Sequence, residues 1–122
     1  MVSLMRLLLV IVVLTLGAIT TSFAQSQNEM TANARAEFDK ADKELNVVYQ
    51  KVLKSMDDDI SKQKFIAVQK AWLKYRDAQA ELDADSERGG SLANQIFAES
   101  ETETTKARIS QLKKYLTDST GK

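Results

Sequence analysis

The 122-residue chain contains no cysteine, no histidine and no proline, and only four glycines. Without cysteine no disulfide can staple the fold, so packing must supply its stability. Without imidazole or thiolate, zinc sites built on those ligands and the Ser-His-Asp and Cys-His nucleophiles are excluded, and no side chain has an unperturbed pKa near 7. An enzyme would be confined to carboxylates, lysine or tyrosine. We therefore expect no enzymatic activity, no cofactor and no metal site.

The first 24 residues are expected to form a signal peptide. One charge, Arg6, precedes an apolar run from Leu7 to Ile19, which is short for a bilayer-spanning helix. Thr20-Thr21-Ser22-Phe23-Ala24 follows, and its small-x-small pattern Ser22-x-Ala24 suits cleavage after Ala24. An uncleaved signal retained as an anchor is the alternative. No cysteine follows the run, so lipid attachment there is not expected. Residues 25–122 would then be a periplasmic or secreted domain with no stable membrane insertion. At about 100 residues it would bury roughly 60 to 65% of its unfolded surface, which leaves room for one core.

The periodicity predicts helix throughout. Met30, Ala34, Phe38, Ala41, Leu45, Val48, Val52 and Met56 keep one face apolar, with Ser26-x-x-Glu29 as a capping box and a start near Asn28. Asp57-Asp58-Asp59 reads as a turn and a new N-cap. Its sequel, Ile60-Ser61-Lys62-Gln63-Lys64, lacks the Gly and Glu of a calcium loop. A second helix carries Phe65, Val68, Trp72, Tyr75, Gln79 and Leu82 as an inward stripe and ends before Ser86. Gly89-Gly90 makes a loop, and Ser91 can cap a third helix from Leu92 to about Leu116, with Ile96, Ala107, Leu112 and Tyr115 or Leu116 inward. The stretch from Glu99 to Thr105 is its weakest helical part, because serine and threonine compete for backbone hydrogen bonds. Short connections favour antiparallel neighbours, so the expected fold is all-α: a small antiparallel up-down-up bundle of three long helices.

Four motifs in order carry a resemblance. They are Glu44-Leu45-Asn46 with Tyr49; Gln69-x-Ala71-Trp72-x-x-Tyr75-Arg76-Asp77-Ala78; Gly89-Gly90-Ser91; and Thr105-x-x-Arg108-x-x-x-Leu112. Together they resemble the LprI-like domain, a family of small exported bacterial domains named for a mycobacterial lipoprotein that inhibits lysozyme. The resemblance covers roughly residues 40–116. Family members commonly carry two cysteines where this chain has Ala80 and Ser100. If those pair in relatives, the bridge would tie the second helix to the third and contribute on the order of 3 kcal/mol that this chain does without.

Two readings attach to Tyr75-Arg76-Asp77. In the structural one, Arg76 lies at the margin of the inward face, lays its stem over the Trp72 ring and meets Glu44 or Asn46 of a neighbouring helix. In the functional one, the three residues contact a ligand. The structural reading is favoured, and it extends to the other motif residues Leu45, Tyr49, Gln69 and Arg108.

Charge placement supplies a second clue. In an up-down-up bundle, residues 51–75 and 106–122 share one end, with eleven basic residues against four aspartates. The other end has thirteen acids against five bases. That polarity is either a solvated surface or a field that steers a cationic partner inward. The resemblance and the charge together suggest a binding protein whose acidic end, through Glu81, Asp83, Asp85, Glu87 and the loop Gly89, Gly90 and Ser91, fills the groove of a basic lysozyme or meets another cationic envelope protein. The alternative is a periplasmic or extracellular interaction module without inhibitory activity. Export argues against a nucleic-acid partner, and the basic end could touch anionic lipid or wall polymers.

Overall fold

The computed structural model describes residues 2–119, with side chains described for residues 22–118. The apolar run from Leu7 to Ile19, on which the signal-peptide reading rests, lies outside the described side chains. The described residues form three helices and one short turn: α1 (Val2–Ser55), α2 (Asp59–Ala84), a 3-10 turn (Asp85–Glu87) and α3 (Leu92–Ser119). No strand occurs among the described residues, and none of their helices is long and apolar enough to cross a membrane. The chain divides into two units, residues 1–30 and residues 31–122. The first is a single helical segment. The second is the bundle.

Contacts between side chains fix the direction of each helix in the bundle. Arg76 reaches Asp42, and Phe65 stacks on Tyr49 with centroids 5.2 Å apart, so α2 runs antiparallel to α1. Phe65 meets Tyr115 edge-on at 6.2 Å, Arg108 meets Gln69 and Ser100 meets Asp83, so α3 runs antiparallel to α2. The expected up-down-up order is what the chain adopts.

The turn between α1 and α2 follows from the aspartates. Asp58 has an extended backbone and its carboxylate accepts from the Ile60 and Ser61 amides, satisfying donors that the first turn of α2 leaves free. The Ser61 hydroxyl also donates to it at 2.7 Å, and that bond, followed by the two amides, holds its carboxyl below the ordinary aspartate range. The capping box predicted upstream does not form a start. Ser26 and Glu29 lie inside α1, because no proline or glycine between Ala18 and Ser55 interrupts the backbone ladder.

The core has two compositions. One zone is apolar: Leu45, Val48, Val52, Phe65, Ile109 and Leu112, with Tyr49, Leu53, Met56, Trp72 and Leu116 packed against them. Full burial of a residue such as Leu45 contributes about 1.5–3 kcal/mol. The other zone buries small and polar residues instead: Ala34, Ala41, Ala80, Ala84 and Ala98 with Arg76, Glu101, Thr102 and Thr105. Alanine lets helix axes approach closely, and that closeness encloses the charges.

Several inward positions need correction. Val68, Tyr75 and Leu82 are exposed, and the buried face of α2 is Phe65, Gln69, Arg76, Ala80 and Ala84. Met30 and Ala107 also face solvent; of Tyr115 and Leu116 it is Leu116 that packs against the core, and Ile109, one turn from Thr105, is buried. The assignment followed apolar identity; the bundle selected residues by the space between its helices.

Candidate functional site

The motif residues converge on Arg76. Its Nη1 donates to Asp42 Oδ1 at 3.0 Å and its Nε to Asp77 Oδ1 at 3.0 Å, while Glu101 Oε1 stands 4.0 Å from Nε. The guanidinium also lies over two rings, 5.0 Å from the Phe38 centroid and 5.6 Å from that of Trp72. Arg76 is thus buried rather than marginal. The expected partners are not the ones it takes: Glu44 accepts from Lys113 Nζ at 2.8 Å on the surface, and Asn46 is exposed. On a helix, Asp42 lies two residues before Glu44 and so on a different side, which is the side that meets α2.

Three carboxylates surround this one guanidinium. Glu101 is the most buried of them, and its Oε2 has no hydrogen-bond partner; neither has the buried Thr105 hydroxyl. Burial pushes the Glu101 carboxyl above the ordinary glutamate range, with Arg76 opposing the shift and Asp77 adding to it. Asp42 and Glu101 were missed by sequence reasoning. The available signal was spacing, since Ala98, Glu101 or Thr102, Thr105, Ile109 and Leu112 recur at helical intervals although three of the candidates are polar.

Arg108 closes the layer from α3. Its Nε donates to Gln69 Oε1 at 3.1 Å, its Nη1 to Gln111 Oε1 at 3.2 Å, and its guanidinium lies 5.7 Å from the Trp72 centroid. Desolvation lowers its pKa from the usual arginine value. Trp72 is half-buried, Leu45 is fully buried and Tyr49 stacks in the core, so these motif residues act as packing and as a hydrogen-bonded layer. Tyr75 and Asp77 of the same motif are exposed.

The acidic end is organised by the corner between α2 and α3. Glu81, Asp83, Asp85, Glu87, Gly89, Gly90 and Ser91 are all exposed. Arg88 folds back on Asp85, with Nε 2.8 Å from Oδ1 and Nη2 2.7 Å from Oδ2. Gly89 takes φ +80, a conformation that admits glycine readily, and the Gly90 amide bonds the Glu87 carbonyl at 2.9 Å. Ser91 stands immediately before α3.

Two shallow open depressions flank this corner. Glu81, Asp85 and Gly89 line one of about 270 Å³ with Ala84, Arg88 and Phe97. Asp83 turns the other way, accepting from Ser100 Oγ at 2.6 Å and Gln79 Nε2 at 2.8 Å. There it joins Trp72, Tyr75, Glu103 and Arg108 along a groove of about 390 Å³. The predicted carboxylates are therefore split between two faces. Among the described residues, Glu81 and Glu87 make no ion pair, and no cluster of carboxylates is arranged to hold a metal ion. Open depressions of this kind suit contact with a macromolecule better than enclosure of a small substrate.

Searches of curated proteins and of solved structures return no match. A protein-family model does match, over residues 20–112, and its description is lysozyme inhibitor LprI. That span takes in all four motifs, the Arg76 layer and the acidic corner, and it covers well over half of the sequence: the chain belongs to the LprI lysozyme-inhibitor family.

Proposed function

We propose that this protein is an exported inhibitor of a basic lysozyme and that it meets the enzyme with the corner between α2 and α3. Family membership across residues 20–112 carries the reading. The corner supports the choice of surface. Its carboxylates are exposed, Glu81 and Glu87 lack internal counter-charges among the described residues, and Asp85 holds Arg88 against the helix end. A lysozyme works with paired carboxylates in an open groove, and a protein that fills the groove and pairs with cations at its edge prevents access. Export is read from the apolar run and Ser22-x-Ala24.

The test is inhibition of a basic lysozyme by the wild type and by Glu81→Lys/Glu87→Lys. Both positions are solvated, so helicity should be unchanged. Loss of a field that steers association should lower the on-rate by about tenfold or more. Full inhibition by the variant would move the contact to another surface, and no inhibition by the wild type would reject the inhibitor reading in favour of a module that binds something else.

A further inference from the structure

The outer face of α2 carries a heptad pattern that the bundle does not use. Val68, Ala71, Tyr75, Ala78 and Leu82 follow one another at intervals of three and four, and all five are exposed, with Tyr75 at 57% and Leu82 at 68%. Lys74 and Glu81, likewise exposed, occupy the flanking positions one residue before Tyr75 and Leu82. Such a stripe, at a 3.5-residue repeat, is the seam of a two-helix coiled coil. Isolated exposed apolar residues are ordinary on a protein surface; a continuous seam along about 20 Å of helix is not.

We propose that the occupant of this seam is a second copy of the chain, its α2 packed antiparallel against the first. The sequence of the stripe chooses both partner and direction. In antiparallel register Tyr75 meets Ala78 of the second copy and Leu82 meets Ala71 of the second copy, so each large side chain faces a small one and the helices approach closely. In parallel register Tyr75 would meet Tyr75 and Ala78 would meet Ala78, alternating crowded and empty layers. The flanks agree. In the antiparallel pair Lys74 of each copy lies beside Glu81 of the other, giving two symmetric charge pairs, whereas in the parallel pair neither finds an opposite charge across the seam. The wider charge pattern acts in the same sense, because Lys70 of one copy comes level with Asp83 in the acidic second half of α2 of the other. A two-fold axis near residues 76 and 77 makes the contact isologous and closed. Two helix faces alone reach only the low end of stable interface areas, so dissociation in the range of about 10–100 μM is expected.

Sedimentation of the purified protein over a concentration series crossing that range should show a monomer–dimer equilibrium. Leu82→Glu should hold the protein monomeric with unchanged helicity, since Leu82 is exposed in the monomer. Lys74→Glu should weaken the dimer about tenfold, and Lys74→Glu/Glu81→Lys should restore it. Direction is read by oxidation: Leu82→Cys mixed with Ala71→Cys should cross-link, while either alone should not. Self-cross-linking of each single variant would establish a parallel pair and overturn the proposal. A monomer throughout the series would also overturn it, as would a shift in mass seen only when lysozyme is added. Pairing of the two copies is independent of the inhibitor reading: every expected readout is the mass or cross-linking of the protein alone, without lysozyme, so failure here and failure of the inhibitor reading are separable even though Glu81 belongs to both surfaces.

Discussion

Arg76 is the residue on which most of the polar interior depends. Its removal would leave Glu101 buried at 5% exposure without its cation, and breaking a buried charge arrangement from one side is costly. We expect Arg76→Ala to destabilise the fold by about 3 kcal/mol, measured by denaturant unfolding. Arg76→Ala/Glu101→Gln should recover about 1 kcal/mol of that, because the orphaned charge is gone. Glu101→Gln alone tests the balance inside the cluster. Burial is the largest influence on Glu101 and raises its pKa, so the folded state favours the protonated acid. Stability linked to this group is therefore fully present below the ordinary glutamate value of 4.5 and is lost as pH rises through the raised value. At pH 7 the wild type bears that loss and Glu101→Gln does not. Its melting temperature should exceed the wild type's at neutral pH, with the gap closing in acid. An equal or lower melting temperature at pH 7 would mean that the Coulomb attraction of Arg76 outweighs desolvation. Trp72, half-buried and in contact with two guanidinium groups, should cost about 2 kcal/mol as Trp72→Ala, less than a fully enclosed ring.

Among the elements, the corner between α2 and α3 is the most sensitive to backbone change. Gly89 sits at φ +80 with no neighbour within 4 Å of an added Cβ, so Gly89→Ala meets no clash and its cost is conformational, about 1 kcal/mol. The same change should leave the helices intact and displace the acidic residues around them, which inhibition kinetics would register more strongly than unfolding. The corner itself was legible in the sequence: paired glycines, a preceding acidic turn and a serine before a helix state their geometry directly. The triple aspartate was equally legible, because a cap is decided by a side chain and the amides next to it. The inward faces of α2 and α3 were harder. Val68, Tyr75 and Leu82 have the period of a core stripe and lie on the outside, while Arg76, Glu101 and Thr105 look like surface residues and lie within. The period is local and survives in the sequence; the choice of face is made by neighbouring helices, and a single sequence does not contain their spacing. The Arg76 partners failed for the same reason, since Asp42 and Glu44 are two residues apart and only the azimuth of α1 decides between them.

At the scale of the whole molecule, charge is the property that sequence and structure share most completely. The bundle draws Arg76 inward, where Asp42, Asp77 and Glu101 surround it, and leaves exposed lysines on one half of α2 and exposed carboxylates on the other. The surface is polarised along the bundle although the formal net charge of the chain is zero. Such a field acts on partners before contact, so its effect belongs to the association rate, and it fades as salt shortens the screening length to about 10 Å at 0.1 M. If the acidic corner guides a cationic lysozyme, raising ionic strength should slow association while dissociation changes little, and Glu87→Lys should reduce the salt dependence along with the rate. Stopped-flow or surface-binding kinetics of the wild type and Glu87→Lys, at low and moderate salt, read both quantities. An association rate independent of salt would place the recognition in shape and apolar contact, and the charge polarity would then serve the pairing of α2 with α2 rather than the encounter with the enzyme.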